Sequence, residues 1–364
     1  MVTLNAHIAN LQPYVPGKPI EEVERDYGLT HIIKLASNEN TWGIPTSVRR
    51  KLYPKLKDIF RYPDGSLYRL RTKLSHQLNI RPDQLIFGNG SDELLQIIAL
   101  AYLGSDKEVL VSAGTFSEYQ FCATLVNAPT HVIPLLKHTY ALTTFAEAVG
   151  PKTSVIFLCN PNNPTGTAFG TRSFEAFMKK VPSHVLVILD EAYFEYAQGE
   201  GHLDGLRYVS QYPNLMILRT FSKLWALAGL RLGYGVAHSS LVAGLSKARQ
   251  PFNVNRFAEE AALLMLDEPG WAQKVRNELD REKRKIYRSL DRLGVSYLVS
   301  RANFIFIELG QSASEICEAL LHMGIIVRAL NGFGFPEAIR VTVGRPSENK
   351  AFLSAFEKVL KKSC

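Results

Sequence analysis

The strongest constraint in this 364-residue chain is a series of short, unbroken apolar runs that stop abruptly at polar clusters. They lie at 84–87, 108–111, 154–158, 185–189, 215–219 and 232–236. A strand that alternates apolar and polar residues can leave one face in water. A strand made of consecutive Val, Ile and Leu cannot, and it needs cover on both faces. Helices in crossover connections supply that cover in a mostly parallel sheet. Helical patterns follow several of the runs, as at 91–103 and 172–180. The expected fold class is therefore α/β, with a mostly parallel central sheet in a large domain. Ligands of such sheets bind beyond the carboxyl ends of the strands, so the residues just after each run hold the functional information.

The last third of the chain has a different rhythm. Helical patterns at 256–266 and 271–293 are followed by short strand patterns at 304–308, 325–328 and 339–343, with further helices at 313–322 and 349–361. This predicts a smaller α+β domain. The first forty residues are loop-rich and are expected to pack on other elements. The expected division is an arm at 1–40 that forms part of the small domain, a large domain at 41–255 and a small domain at 256–364.

Hydrophobic residues make up 46% and charged residues 21% of the chain, with no apolar run long enough to span a membrane. The N-terminus lacks the basic and apolar regions of a secretory signal, so a cytoplasmic protein is expected. The net charge of +8 is spread along the chain. Its densest cluster, Arg281 to Arg288, reads as a solvated helix face, so no nucleic-acid partner is expected. The four cysteines show no C-x-x-C spacing, which predicts neither a disulfide framework nor a metal site. Cys159 sits in an apolar run and reads as a small buried hydrophobe.

Four strand ends stand out. At 87–94 two glycines precede Ser91, which reads as the N-cap of a helix whose free N–H groups can cradle a phosphate. Many turns of this kind hold no ligand. At 160–167, Asn-Pro-Asn-Asn-Pro-Thr-Gly-Thr is a rigid turn whose asparagines offer amide donors to an anionic oxygen. At 187–193 three apolar residues run straight into Asp190, with Tyr193 close behind. A carboxylate at the end of a buried strand is costly without a partner, and a cationic ring nitrogen would be one, although an isolated Asp there reads equally as a helix N-cap. At 218–234 a strand ends in Thr220, Ser222 and Lys223, and Arg231 follows. A lysine in apolar surroundings has a lowered pKa and forms Schiff bases, and hydroxyls with an arginine suit a phosphate. An amine, an acid, hydroxyl and amide donors and an anion site are what pyridoxal 5′-phosphate requires of a protein.

The segments GNGSDE (88–93), NPNNPTGT (160–167), LDEAY (189–193) and RTFSKLWALAGLRLGY (219–234) together resemble the fold type I pyridoxal-phosphate aminotransferases. The segments LQPYVPGKPIEEVERDYG (11–28), KLASNEN (34–40), RYPDG (61–65), GIIVRAL (324–330) and IRVTVGRPSEN (339–349) extend the resemblance, nearly end to end, to the histidinol-phosphate branch of that family.

The resemblance implies that Lys223 forms the Schiff base and moves the substrate proton. It implies that Asp190 pairs with the pyridine nitrogen, that Asn163 and Tyr193 hold the ring oxygen, and that Phe116 stacks on the ring. Ser91, Asp92 (through its backbone N–H), Thr220, Ser222 and Arg231 would surround the cofactor phosphate. Tyr62 would reach it from a second copy, which implies a homodimer. Arg340 would take an acidic group of the substrate. Arg328 and Tyr14 would take the phosphate of histidinol phosphate, and Asn38 would also lie in the substrate site.

The implied reaction is a ping-pong transamination between glutamate and imidazole acetol phosphate, giving 2-oxoglutarate and histidinol phosphate in histidine biosynthesis. An aromatic amino acid aminotransferase and a decarboxylase of a phosphorylated amino acid use similar sites. A non-catalytic binding module is the reading from a different class. Thr41 and Trp42 stand where the branch usually has proline, with Trp42 expected at the rim of the site, and Ala226 stands where glycine is common.

Overall fold

The computed structural model describes residues 2–9, 11, 17–197, 199 and 201–363. All six apolar runs of the first two-thirds form strands, displaced by no more than one residue at either end. They belong to one seven-stranded sheet. Its order is Leu85–Gly88, Gly233–Ala237, Leu215–Thr220, Leu186–Asp190, Thr153–Cys159, Glu108–Ser112 and Thr130–Ile133. Gly233–Ala237 runs antiparallel to both its neighbours and the other pairings are parallel. The strand Thr130–Ile133 has no counterpart among the expected runs. It is one of the two edge strands, and unlike the other, Leu85–Gly88, it has only one buried residue, Ile133, so its exposed face removes the continuous apolar signal.

Parallel register brings the strand ends together. Cys159 lies opposite Asp190, and Asp190 opposite Leu218. Thr220 lies opposite Gly233, which in turn faces Gly88. Four of the sequence segments singled out above therefore emerge from one edge of the sheet.

The C-terminal third builds an antiparallel sheet of Arg328–Leu330, Phe335–Thr342 and Phe304–Glu308. The strand expected at 325–328 is in fact two. Ile325–Ile326 pairs in parallel with Ile33–Lys34, whereas Arg328–Leu330 enters the antiparallel sheet. The strand expected to begin at 339 begins at Phe335. Within the first forty residues Ile20–Tyr27 is helical, closed by Gly28 at φ 65°. The segment that follows is stitched to the C-terminal third by Leu35 N–H to the Ile326 carbonyl (2.7 Å) and Thr342 N–H to the Leu35 carbonyl (2.8 Å).

Two main apolar cores result. One surrounds the large sheet and includes Ala258 and Ala261 of the helix Arg256–Met265. The other joins the antiparallel sheet to Val275, Leu279 and Ile286 of the helix Pro269–Leu293, and to Phe352 and Phe356 of the last helix. Tyr193, Tyr196 and Leu224 also belong to the second core. It therefore packs directly against the ends of the large sheet, and the cleft between the two lies where the strand ends converge. The basic run 281–288 is not wholly solvated: Lys283 is buried, its amine donating to the Ser300 and Ala302 carbonyls and paired with Asp280 at 3.1 Å. Its neighbour Glu282 is also buried and accepts from Asn349 at 2.9 Å. Among the described residues no helix is long and apolar enough to cross a membrane.

Candidate active site

At the floor of the cleft Asp190 is buried, with 3% of its surface exposed. Its Oδ2 accepts from the Tyr119 hydroxyl at 2.7 Å and its Oδ1 from the Ala192 N–H at 3.0 Å. Both donors are neutral, and burial pushes the carboxyl up to about 6 despite them. The local bond to Ala192 is the cap-like contact expected of an Asp at a strand end, but the side chain also lines the cleft. The next strand delivers Lys223, whose amine lies 5.5 Å from the centre of the Tyr193 ring. Burial, reinforced by repulsion from Arg340, lowers its pKa to about 8. The direction is that expected from its apolar flanks.

An anion cradle forms where the helix Ser91–Tyr102 begins. The cap residue is Gly90 (φ 82°), not Ser91, which is already the first helical residue. Glycine suits this position because the backbone has a positive φ; a Cβ there would also stand 2.5 Å from Arg231 Nη2, so the end of the arginine side chain would have to shift. Gly233 lets the neighbouring strand approach equally closely, since a Cβ there would lie 2.4 Å from the Ser91 nitrogen. Arg231 donates to the Asp92 carboxylate at 2.9 Å and to Ser222 Oγ at 3.4 Å. Thr220 Oγ1 accepts from the Ser222 N–H at 3.1 Å. Ser91, Thr220, Ser222 and Arg231 thus surround the unpaired N–H groups of a helix N-terminus, an arrangement that suits a phosphate.

The rigid turn at 160–167 divides its asparagines by task. Asn160 bonds Phe169 N–H and carbonyl, and Asn162 bonds Thr115, Thr165 and the Gly114 carbonyl, so both serve the turn itself. Asn163 alone faces the cleft. Arg340 donates to its Oδ1 and, at 2.6 Å, to the Ala36 carbonyl. Because arginine only donates, Asn163 presents its amide N–H groups as the end that can meet a ligand oxygen. Arg340 and Arg328 are partners in the antiparallel ladder, so their side chains leave the same face of the sheet, and both line the cleft.

Asn38 lines the cleft too, but it is buried and committed. Its Nδ2 donates to the Tyr193 hydroxyl at 2.9 Å and its backbone N–H to Thr342 Oγ1 at 2.9 Å. Its place is beside Tyr193 rather than out in the opening. Phe116 also lines the cleft and meets the Tyr119 ring edge-on at 5.7 Å.

Tyr62, expected to come from a second copy, does not line this chain's own cleft. Tyr62 is 81% exposed and stacks on Phe252 in a separate groove. Tyr14 lies outside the described residues. Trp42 packs against the second core, and Arg345 binds its carbonyl at 3.2 Å. The sequence reading passed over three residues here: Phe333 and Ser37 at the cleft and Tyr119 beneath it. Tyr119 stands three residues after Phe116 in an ordinary helical pattern, and only its partner distinguishes it.

The residues present fit pyridoxal phosphate. A buried carboxylate with neutral donors calls for a cation, which a protonated pyridine supplies. A low-pKa amine opens onto the same cleft, and the anion cradle lies beside it.

The comparisons with known proteins agree with this geometry. The family model "Aminotransferase class I and II" matches residues 30–356. Histidinol-phosphate aminotransferase 2 of Carboxydothermus hydrogenoformans is 43% identical over 354 residues, covering 97% of this chain and 98% of its own length. The histidinol-phosphate aminotransferase of Bacillus subtilis subsp. natto is 39% identical over 358 residues, covering 98% and 99%. The crystal structure of histidinol-phosphate aminotransferase from Sinorhizobium meliloti in complex with pyridoxal-5′-phosphate superposes with a TM-score of 0.92 at 25% identity, covering 100% of this chain and 99% of that one. A cleft that joins a low-pKa lysine, a buried aspartate and an anion cradle on a fold type I sheet thus accompanies full-length similarity to histidinol-phosphate aminotransferases at about 40% identity, and the chain belongs to the class I and II aminotransferases, in their histidinol-phosphate aminotransferase branch.

Proposed function

We propose that the chain uses pyridoxal 5′-phosphate to transfer the amino group of glutamate to imidazole acetol phosphate, giving 2-oxoglutarate and histidinol phosphate in histidine biosynthesis. The observation that carries this reading is the register pair Arg328–Arg340. It sets two guanidinium groups over the cleft that holds Lys223, enough for a substrate with a dianionic phosphate and for one with two carboxylates.

Held in this cleft, with the substrate amino group in place of the Lys223 amine, the cofactor would supply an electron sink that allows the substrate Cα–H bond to break. The protein's residues have separate tasks. Asp190 holds the ring nitrogen. Asn163 and Tyr193 bind the ring oxygen, and Phe116 covers one ring face. Ser91, the Asp92 N–H, Thr220, Ser222 and Arg231 bind the phosphate. The Lys223 amine takes the proton from Cα and returns it on the other side of the reaction, which requires the neutral amine that burial favours. Arg340 binds the carboxylate of glutamate, and Arg328 with Tyr14 takes the phosphate of histidinol phosphate. Asn38 fixes the Tyr193 hydroxyl from the substrate side.

The working unit in this reading is a homodimer. Tyr53, Ile59, Phe60, Tyr62, Tyr68 and Phe252 are exposed hydrophobic side chains, from 47% to 81% exposed, and four of them line one groove with Arg61 and Arg256. A patch of this kind favours association, and a second copy would bring its Tyr62 to the phosphate cradle.

The test compares histidinol phosphate with histidinol as amino donors. Recognition of the phosphate by arginine predicts a preference of about 100-fold or more in kcat/KM for the phosphorylated donor. Equal use of the two would remove Arg328 from phosphate binding.

A further inference from the structure

Beneath the cleft, the Asp190 carboxylate is held by a side chain to which the reaction above assigns no task. Tyr119, in the helix Glu118–Leu125, is wholly buried. Its ring stacks on Phe157, with centroids 4.8 Å apart and planes 4° from parallel, and Phe116 meets it edge-on. The ring is thereby fixed, and its hydroxyl reaches Asp190 Oδ2 at 2.7 Å. Burial raises the phenol well above its ordinary pKa, so it remains a donor. The other groups facing Asp190 are the Cys159 thiol, the phenols of Tyr140 and Tyr193, the Lys223 amine and the Asp92 carboxylate.

We propose that Tyr119 is a positioning residue for the cofactor's ring nitrogen: its hydroxyl pins Asp190 and keeps the proton they share on the nitrogen rather than on the carboxylate. The inference rests on the reading that pyridoxal phosphate lies with its ring nitrogen against Asp190. In a buried pair of this kind the proton can lie on either partner, since burial pushes the carboxyl up to about 6 even with the bonds from Tyr119 and Ala192 in place. Burial favours the uncharged arrangement, with the proton on oxygen. A hydrogen bond donated to the carboxylate favours the charged arrangement, with the proton on nitrogen. A bond to a charged acceptor is worth about a 10- to 100-fold change in such a ratio. Tyr119 therefore decides how strongly the ring can draw electrons, without touching the ring itself.

The experiment loads the full-length protein with pyridoxal phosphate labelled with nitrogen-15 in the ring and records its NMR signal at neutral pH. Tyr119→Phe keeps the stacked ring and removes only the donor. The ratio of protonated to neutral ring nitrogen is expected to fall about 10-fold or more. Replacing Tyr119 with 3-fluorotyrosine strengthens the donor and is expected to move the signal the opposite way. A merely structural role would not produce shifts of opposite sign. Asp190→Asn is the control for the underlying reading. If Asp190→Asn moves the signal and neither change at 119 does, the inference about Tyr119 is overturned and the Asp190 assignment stands. If Asp190→Asn leaves the signal in place, the Asp190 assignment itself falls, and the inference with it. Should Tyr119→Phe fail to fold, the fluorotyrosine protein decides alone: a shift toward the pyridinium signal supports the inference and an unmoved signal overturns it.

Discussion

Arg219→Met tests whether the ends of the two strands that carry Asp190 and Lys223 are clamped by a buried ion pair. Arg219 Nε and Nη2 donate to Glu191 Oε2 at 2.9 and 2.7 Å, and Nη2 also reaches Asp204 Oδ1 at 2.9 Å. The guanidinium lies 3.6 Å from the centre of the Phe194 ring. Asp204 is 29% exposed, so water screens its share, which is worth about 0–1 kcal/mol. Glu191 is fully buried, and the variant leaves its carboxylate without a cation. Stranding one partner of a buried pair costs about 3–5 kcal/mol.

Urea unfolding of the cofactor-loaded protein, followed by circular dichroism, reads that loss as a lower midpoint. Burial already pushes Glu191 upward and Arg219 opposes it, so the variant raises the folded pKa further above the unfolded value. A raised carboxyl favours the folded state while protonated, and this is lost as pH rises through the folded pKa. The destabilisation should therefore be larger near about pH 8 than near about pH 5. Adding Glu191→Gln removes the stranded charge and should recover about half of the loss or more. A single variant that costs less than about 1 kcal/mol, or a double variant that loses the sum of both single changes, would refute the reasoning.

Other expectations follow from the same geometry. Lys223→Ala should abolish turnover, since in the proposed reaction the amine is both the attachment point and the proton carrier; wild-type-like turnover would rule out that assignment. The rate at which cofactor-free protein takes up pyridoxal phosphate should rise with pH about a midpoint near 8, where the Lys223 amine becomes neutral, and not near its ordinary value of 10.5. Ala226 has φ 59°, a left-handed conformation that suits glycine. Ala226→Gly should relieve about 1–2 kcal/mol of strain, offset in part by the greater freedom of the unfolded chain, for a net gain of about 0.5–1 kcal/mol in denaturant unfolding. Tyr62→Ala should leave the fold intact and, in the dimer proposed above, weaken pyridoxal phosphate binding by about 10-fold; unchanged affinity, measured together with the sedimentation of the loaded protein, would remove Tyr62 from the site.

What the sequence disclosed follows from what determines each feature. The interior strands of the large sheet are buried on both faces, so their composition reveals them, and parallel register then brings their ends together. The edge strand Thr130–Ile133 is half exposed and left no such trace. The run at 325–328 is uniformly apolar because both halves are buried, yet the halves pair with different sheets, and composition does not encode pairing. The same limit hid the Arg328–Arg340 register on which the proposed substrate recognition turns. Among the asparagines of 160–167, three identical side chains differ only in direction, so two proved to serve the turn and one the cleft. Ser91 seemed the natural cap because serine often is, but the chain turns into the helix one residue earlier, at a positive φ that favours Gly90. The departure at Ala226 was visible in the sequence, and the backbone angle shows why glycine is common there. Tyr119 was invisible because its importance lies in one hydrogen bond across 71 residues of chain.

The central claim is tested most directly by single half-reactions. The cofactor-loaded protein would be mixed with histidinol phosphate and, separately, with phenylalanine, while the cofactor absorbance is followed. The paired arginines predict rapid conversion by histidinol phosphate and conversion at least about 100-fold slower by phenylalanine at equal concentration. Comparable conversion by phenylalanine would make this a broad or aromatic aminotransferase, and no conversion by histidinol phosphate would contradict the proposed substrate outright.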